Sequence, residues 1–540
     1  MAQNRSRATL PFLLVALAIA SACAPAVVQV QRGAATAPTA TTGGAFPRTP
    51  DGRPDLQGIW QARSRASYGL HDHAARAGMP AALSAVVEGD IPYQAWAAAR
   101  QRENFDSRTI ADPLAQCYMP GVPRIMYMEW PFQIFQTRDQ VAMTFEWQHL
   151  FRLIYTNGTR PPEGLEFWMG DSRGRWDGDT LVVDVTNHNA RTWLDMAGNF
   201  HSEALHVIER YTMLEANTLQ YEARIEDAKV FTRPWTIRVR LERQVDSTRL
   251  MEYPCRAEIE EARCDFEPDP RTWYVPARLP AVGTRPTVIP PRLGQQAESG
   301  VDGRRPDLSG LYLPDRSGGA NWGLEPHPSR VELTPVGTGV VIDPTDRLLP
   351  YQAWARQEQQ SRNAPERGYD DPTAHCFVAA GVPRSMYVPS PLQVIQTPTH
   401  VVFLFERMAW RIVPLDGRPH ISDAIRLWNG DSVGRWDDDT LIVETTNLNG
   451  KTWLNEVGDV VSHAETVVER FTRIGAGAIR YEATVTDPLV YTRPWTIAFT
   501  LERQTDELLE AACLEDNQDL QHLKELKDAA RQGTASRSER

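Results

Sequence analysis

The chain contains itself twice. GDSRGRWDGDTLVVDVTN, from Gly170, returns as GDSVGRWDDDTLIVETTN from Gly430. PDLQGIW at 54–60 is answered by PDLSGLY at 306–312, GVPRIMY at 121 by GVPRSMY at 381, and FTRPWTIRVRLERQ at 231 by YTRPWTIAFTLERQ at 491. Two long copies are a tandem duplication, whereas a solenoid is built from more and shorter repeats. The 540 residues therefore reduce to one unit of ordinary domain size, used twice. Each copy also acts as a control on the other: a feature the fold requires should persist in both, and a site need persist in only one.

Within a unit the apolar residues recur mostly with period two. QIFQTRDQVAMTFEW and QVIQTPTHVVFLFER each read as two strands around a turn, DTLVVDVTN and DTLIVETTN as one strand, and HVIERYTMLEANTLQYEARIED as a hairpin. WTIRVRLERQ and WTIAFTLERQ alternate cleanly, apolar in and charged out. One helix per unit is expected after PYQAWA, which is proline-led and rich in Ala, Arg and Gln. Hairpins in succession without helical crossovers make an antiparallel meander, so the expected fold is all-β: two homologous antiparallel β-barrel domains in tandem, each with a short helix and long loops. The expected boundaries are 46–275 for the first barrel, 276–304 for a proline-rich linker, 305–515 for the second barrel and 516–540 for a C-terminal helix and frayed tail. With 42% hydrophobic residues and 16 tryptophans, the chain can fill two cores.

LQGIW, with glycine two before tryptophan at an entry strand, followed by a meander of about eight strands, resembles lipocalin-like (calycin) barrels. That resemblance implies a cup for a small apolar molecule and transfers no catalytic residue. The second copy departs from it with Tyr312. DPLAQCYMPGVPR, GRWDGDTLVVDVTN, TWLDMAG, HSEALHVIER and EYPC also look like a family of secreted bacterial proteins of unknown function that usually carry a single unit. This likeness covers nearly all of both halves and implies independent domains outside the cytoplasm.

The N-terminus points to the same compartment. Arg5 and Arg7 precede an apolar run from Leu10 to Ala20 that is too short to anchor in a membrane, and small residues follow up to Cys23. ASAC at 20–23 resembles a bacterial lipobox, with Cys23 the lipidated residue, and Ala20-Ser21-Ala22 also suits ordinary signal-peptidase cleavage. Residues 1–23 are thus read as a signal, 24–45 as a tether, and the location as periplasm or outer membrane, or secreted. Cys117 and Cys255, like Cys376 and Cys513, fall at matching places in the two copies, so one disulfide per copy is expected, with a local Cys255–Cys264 bridge as the other pairing. A net charge of −12 without a Lys/Arg run disfavours nucleic acid as a partner and leaves a small molecule. No cofactor is implied, and the absence of Cys-x-x-Cys argues against a thiolate zinc site.

Six groups of residues bear on the chemistry. Asp177-Gly178, answered by Asp437-Asp438, reads as a hairpin turn before a strand. GDSV at 430–433 also resembles the nucleophile block of GDS-type ester hydrolases, which would make Ser432 the nucleophile with Asp519 and His522 in support. HSEALHVIER does not survive duplication: Val461 replaces His201, His463 replaces Glu203 and Thr466 replaces His206. On one strand face His201 would be a general base, Glu203 its orienting carboxylate and His206 a further polar group, or His201 and Glu203 would be two ligands of a metal. Arg124 and Arg384, in GVPR, would anchor a ligand carboxylate or pin a loop, and Trp193 and Trp235 would line a pocket or fill the core. His71 and His73 have a metal-like spacing in what reads as a solvated loop. The functions these residues allow are binding of a small, largely apolar or aromatic molecule with non-hydrolytic acid–base chemistry in the first unit, a carrier without catalysis, or a structural envelope module.

Overall fold

Strands with one apolar face close that face on itself, and here they do so twice. The structure is a computed structural model describing residues 46–253, 255, 305–315, 319–327, 337–376, 380–515 and 517–538. The leader with Cys23, the tether, Cys264 and the 276–304 linker lie outside the described residues. Repeat 1 runs β1 (Gly58–Ala62), helix α1 (Ala95–Ala111), β2 (Phe132–Gln136), β3 (Gln140–Phe145), β4 (Phe151–Tyr155), β5 (Asp171–Asp177), β6 (Thr180–Thr186), β7 (His206–Glu215), β8 (Thr218–Glu226) and β9 (Trp235–Arg243). Consecutive strands pair antiparallel and β9 returns to β1, with Ala62 opposite Leu241. The ring closes between β4 and β5 through a short parallel ladder, Ile154 opposite Ser172 and Tyr155 opposite Arg173. β4, whose FRLIY lacks alternation, is the strand that a period-two reading does not mark.

Repeat 2 has the same order: β10 (Gly310–Pro314), β11 (Val341–Asp343), α2 (Ala353–Arg362), β12 (Leu392–Gln396), β13 (His400–Phe405), β14 (Ala409–Pro414), β15 (Asp431–Asp437), β16 (Thr440–Thr446), β17 (Thr466–Ile474), β18 (Ala478–Thr486) and β19 (Trp495–Gln504). Here the last ladder is missing, and β14 lies beside β15 without pairing to it. Pro414 stands where Tyr155 pairs in repeat 1, and proline has no N–H to give to a ladder. A C-terminal helix, α3, extends over Asp519–Ser538, longer than the short helix and frayed tail expected. The disulfides are Cys117–Cys255 and Cys376–Cys513, the symmetric pairing.

Each barrel is filled by a charged pair. In repeat 1 Arg152, on β4, gives Nη1 to Glu209 Oε1 at 3.0 Å and Nη2 to the other carboxylate oxygen, while its Nε meets Ser172 Oγ at 3.0 Å. Tyr221 donates to Glu209 at 2.7 Å, and Tyr211 bonds both charged groups. Repeat 2 keeps the arrangement with Arg411, Glu469, Ser432 and Tyr481. Phe471 there lacks the hydroxyl of Tyr211, and Thr445, which replaces Val185, accepts from Arg411 at 2.7 Å in its stead. Burial opposes the charge on Arg152, but Glu209 outweighs it and holds the guanidinium protonated. The cup implied by the lipocalin-like resemblance is occupied by this network and by Trp60, Phe132 and Trp235, all fully buried.

The outer face of β2–β3 packs on that of β12–β13, so the first core runs on into Ile395, Val402 and Leu404. This is why β2 is buried at every position rather than at alternate ones. Each repeat also lays the segment after its last strand across the other. Glu252, three residues before Cys255, accepts the backbone N–H groups of Trp428 and Asn429 at 2.5 and 2.9 Å. Glu510, three residues before Cys513, accepts those of Trp168 and Met169 at 2.7 and 2.9 Å. Burial raises both carboxyls to about 7 against the pull of those N–H groups. A second contact in each strap has its charge exchanged: Arg249 reaches Asp431 at 2.8 Å in one, and Glu507 accepts from Arg173 at 2.7 Å in the other.

Candidate functional site

The GDS segments are structural. Gly170 and Gly430 have φ of +69° and +67°, and a Cβ on Gly170 would stand 2.6 Å from the His188 ring. Ser432 gives its hydroxyl to the interior network, bonded to Arg411 at 2.9 Å and Thr445 at 3.0 Å, so a nucleophilic serine paired to a histidine is not formed there. His522 lies on α3, and the Asp519 side chain is outside the described residues. The hairpin reading holds with a shift of one residue. Asp177 pairs with Thr180, leaving Gly178-Asp179 as the turn, and only Gly178 (φ +58°), like Asp438 (φ +49°), takes positive φ. Positive φ at the first central residue alone is the II′ pattern.

The residues of HSEALHVIER are not brought together. Residues 201–205 form a turn rather than a strand, because Ser202 gives its N–H and hydroxyl to Asp227 at 2.7 and 2.9 Å; β7 begins only at His206. His201 is buried, with Nδ1 donating to the Ser202 carbonyl at 2.8 Å and Nε2 accepting from Thr192 Oγ1 at 2.7 Å. Both nitrogens are engaged, and burial holds the ring below its ordinary pKa. Glu203 is exposed and paired with Lys229, far from a base-orienting role. His206 is half-exposed on the barrel wall between Asp184 at 3.3 Å and Glu226 at 3.6 Å. The residue the sequence reading missed is His188, which is fully buried with its ring centroid 5.8 Å from that of His201. Leu448 and Val461 occupy the two places in repeat 2, so the pair was exchanged together; the signal was the same failure to survive duplication that marked His201.

Arg124 and Arg384 pin loops. Each makes two bonds of 2.8–2.9 Å to a buried aspartate, Asp112 and Asp371 respectively, leaving no fork for a ligand. Trp235 is a core residue set edge-on to Phe231, and Trp193 is half-buried against Phe200. Among the described residues no three His, Cys, Asp or Glu side chains converge as metal ligands.

Several cavities lie outside the barrels, a larger one of about 1100 Å³ beside α2 and Cys513 and one under the loop that carries His71 and His73. This loop returns over α1 and leaves a cavity of about 300 Å³, lined by Leu70, Ile91, Tyr93 and Phe105 with His73 and Arg76. Its volume and mixed lining are those of a small-molecule pocket. His73 Nε2 is buried without a partner. Tyr93 donates to Asn199 at 2.8 Å, and the Asn199 amide binds Asp195 at 2.5 Å, which also accepts the Leu70 N–H at 2.8 Å and so ties the loop to the barrel. Burial raises Asp195 to about 6 despite those donors. Repeat 2 reverses the pair, with Asn455 for Asp195 and Asp459 for Asn199, and keeps one carboxylate, one amide and the tyrosine, Tyr351.

The fold and these sites define a duplicated, disulfide-stapled antiparallel barrel with a loop-covered cavity on its first copy. No protein-family model, curated protein or solved structure matches the chain.

Proposed function

We propose that the chain is an extracytoplasmic carrier for a small, largely apolar or aromatic molecule, bound in the repeat-1 cavity beneath the 69–93 loop. The cavity itself carries this reading: about 300 Å³, walled by Tyr93, Phe105, Leu70 and Ile91, with Arg76 and the unpartnered His73 Nε2 as polar handles. Binding without turnover is favoured over acid–base catalysis because His201 has both ring nitrogens engaged inside the fold. Two disulfides support an oxidising compartment. Export through the 1–23 leader with lipidation at Cys23 fits that compartment and would hold the carrier at a membrane through its tether.

The test is titration of 2-naphthol, an aromatic molecule with one hydroxyl, into the mature chain, followed by its fluorescence. Binding to the wild type that weakens at least ten-fold when A197F fills the cavity supports the proposal. Absence of binding, or equal binding by A197F, removes it, and measurable turnover by the wild type would restore the enzyme reading.

A further inference from the structure

Where the repeat-1 strap crosses repeat 2, it covers the seam that Pro414 leaves unzipped and borders a further, partly open cavity of about 60 Å³, lined from both barrels. Two side chains facing it carry buried polar atoms without a hydrogen-bond partner. Asn429 is 5% exposed, and neither its Oδ1 nor its Nδ2 is bonded. His149 is 2% exposed and stacks on Trp410 with ring centroids 4.3 Å apart; its Nδ1 is unbonded, and Nε2, 3.7 Å from Glu252, is beyond hydrogen-bond range. A buried polar group left without a partner keeps its full desolvation penalty unless something satisfies it.

The charges around the cavity are already matched. Arg249 and His420 both hold Asp431 at 2.8 Å, Arg411 is bonded to Glu469, Arg418 to Asp416, and Glu252 to two backbone N–H groups. Burial keeps His149 and His400 neutral, at about 3 and 4. An anion entering would find no unpaired cationic side chain among the described residues, whereas a neutral group carrying both a donor and an acceptor would complete Asn429. At roughly 10–15 Å³ per water-sized occupant, the space takes about four heavy atoms. The corresponding residues on the other seam are Met169 for Asn429, Met408 for His149 and Tyr155 for Pro414, so neither of these two side chains has a polar counterpart there.

We infer that this seam cavity is a second binding site, selective for a neutral carboxamide group, with Asn429 pairing its N–H and C=O edge and His149 supplying a further hydrogen bond. The site is independent of the repeat-1 cavity, uses different residues and is read with a different probe.

Saturation-transfer NMR on the mature chain, with acetamide and acetate as probes, tests it. Acetamide should bind at least ten-fold tighter than acetate, and N429M and H149M, which import the residues of the other seam, should each weaken acetamide at least ten-fold while 2-naphthol binding is unchanged. Acetate binding equal to acetamide, acetamide binding indifferent to both substitutions, or no acetamide signal would each overturn the inference. Where N429M lowers the melting temperature, H149M on the far wall decides.

Discussion

At the scale of single residues, the comparison between copies separates what the barrel needs from what one copy has added. Arg152, Glu209, Ser172 and Tyr221 recur as Arg411, Glu469, Ser432 and Tyr481, and lie at the centre of each barrel. An interior charge stripped of its partner is costly, about 3–5 kcal/mol, while replacing both partners by apolar groups costs much less. R152M should therefore destabilise the protein by about that amount in urea denaturation, and R152M/E209L should recover most of the loss; equal destabilisation by both would mean that the pair is intrinsically stabilising. In the sequence Glu209 is only half of a Glu-Arg dipeptide, Glu209-Arg210, that recurs as Glu469-Arg470. Its true partner lies 57 residues away across the barrel, and no local pattern encodes that. The site residues were less legible still. His201 occurs in one copy only, with Val461 at the matching place, but its hydrogen bonds to Thr192 and Ser202 depend on a turn that HSEALHVIER does not announce.

At the scale of elements, the hairpins could be read because their pairing is local and their faces alternate, as in β7–β8 and β8–β9. Closure could not. It depends on β4 and β5, separated by a long loop, and on whether a proline falls at the closing rung. Pro414 makes the two closures differ, and amide exchange should reveal this. The β15 amides that face β14 are expected to exchange faster than their β5 counterparts facing β4, although the two strands share nearly the same sequence. Equal protection would mean that the repeat-2 seam is zipped in solution. The same lesson holds for β2, whose burial on both faces reflects a neighbouring barrel that a single repeat's pattern does not contain. The recurrence of Glu-x-x-Cys after each last strand was a signal for the straps, visible in both copies and explained only by the contact it makes.

At the scale of the whole molecule, the straps make association of the barrels depend on protonation. Glu252 and Glu510 are raised from 4.5 to about 7 by burial. With folded values above the unfolded ones, the folded chain binds more protons through that interval, so the stabilisation is complete below about 4.5 and is lost as pH rises through 7. Each group contributes on the order of 3 kcal/mol at most. Buried His149 and His400 act in the opposite sense below the ordinary histidine range, so the informative quantity is the difference between the wild type and E252Q/E510Q. The stability advantage of the wild type over that variant should shrink between about pH 5 and pH 8. A pH-independent difference would place the two carboxyls in water.

The reciprocal straps also bear on how the two copies came to differ. Each barrel is finished by the other's tail, which is the self-complementary contact of a twofold dimer written into one chain. In a dimer of identical chains both seams would be bound to the same residues, and any change would appear twice. Joining the halves holds the partners at a high effective concentration whatever their abundance, and it frees the seams from identity. One carries methionines and a closed ladder; the other has a proline, a histidine and an asparagine around an opening. Such an asymmetry is open only to a symmetric pair that can no longer exchange partners.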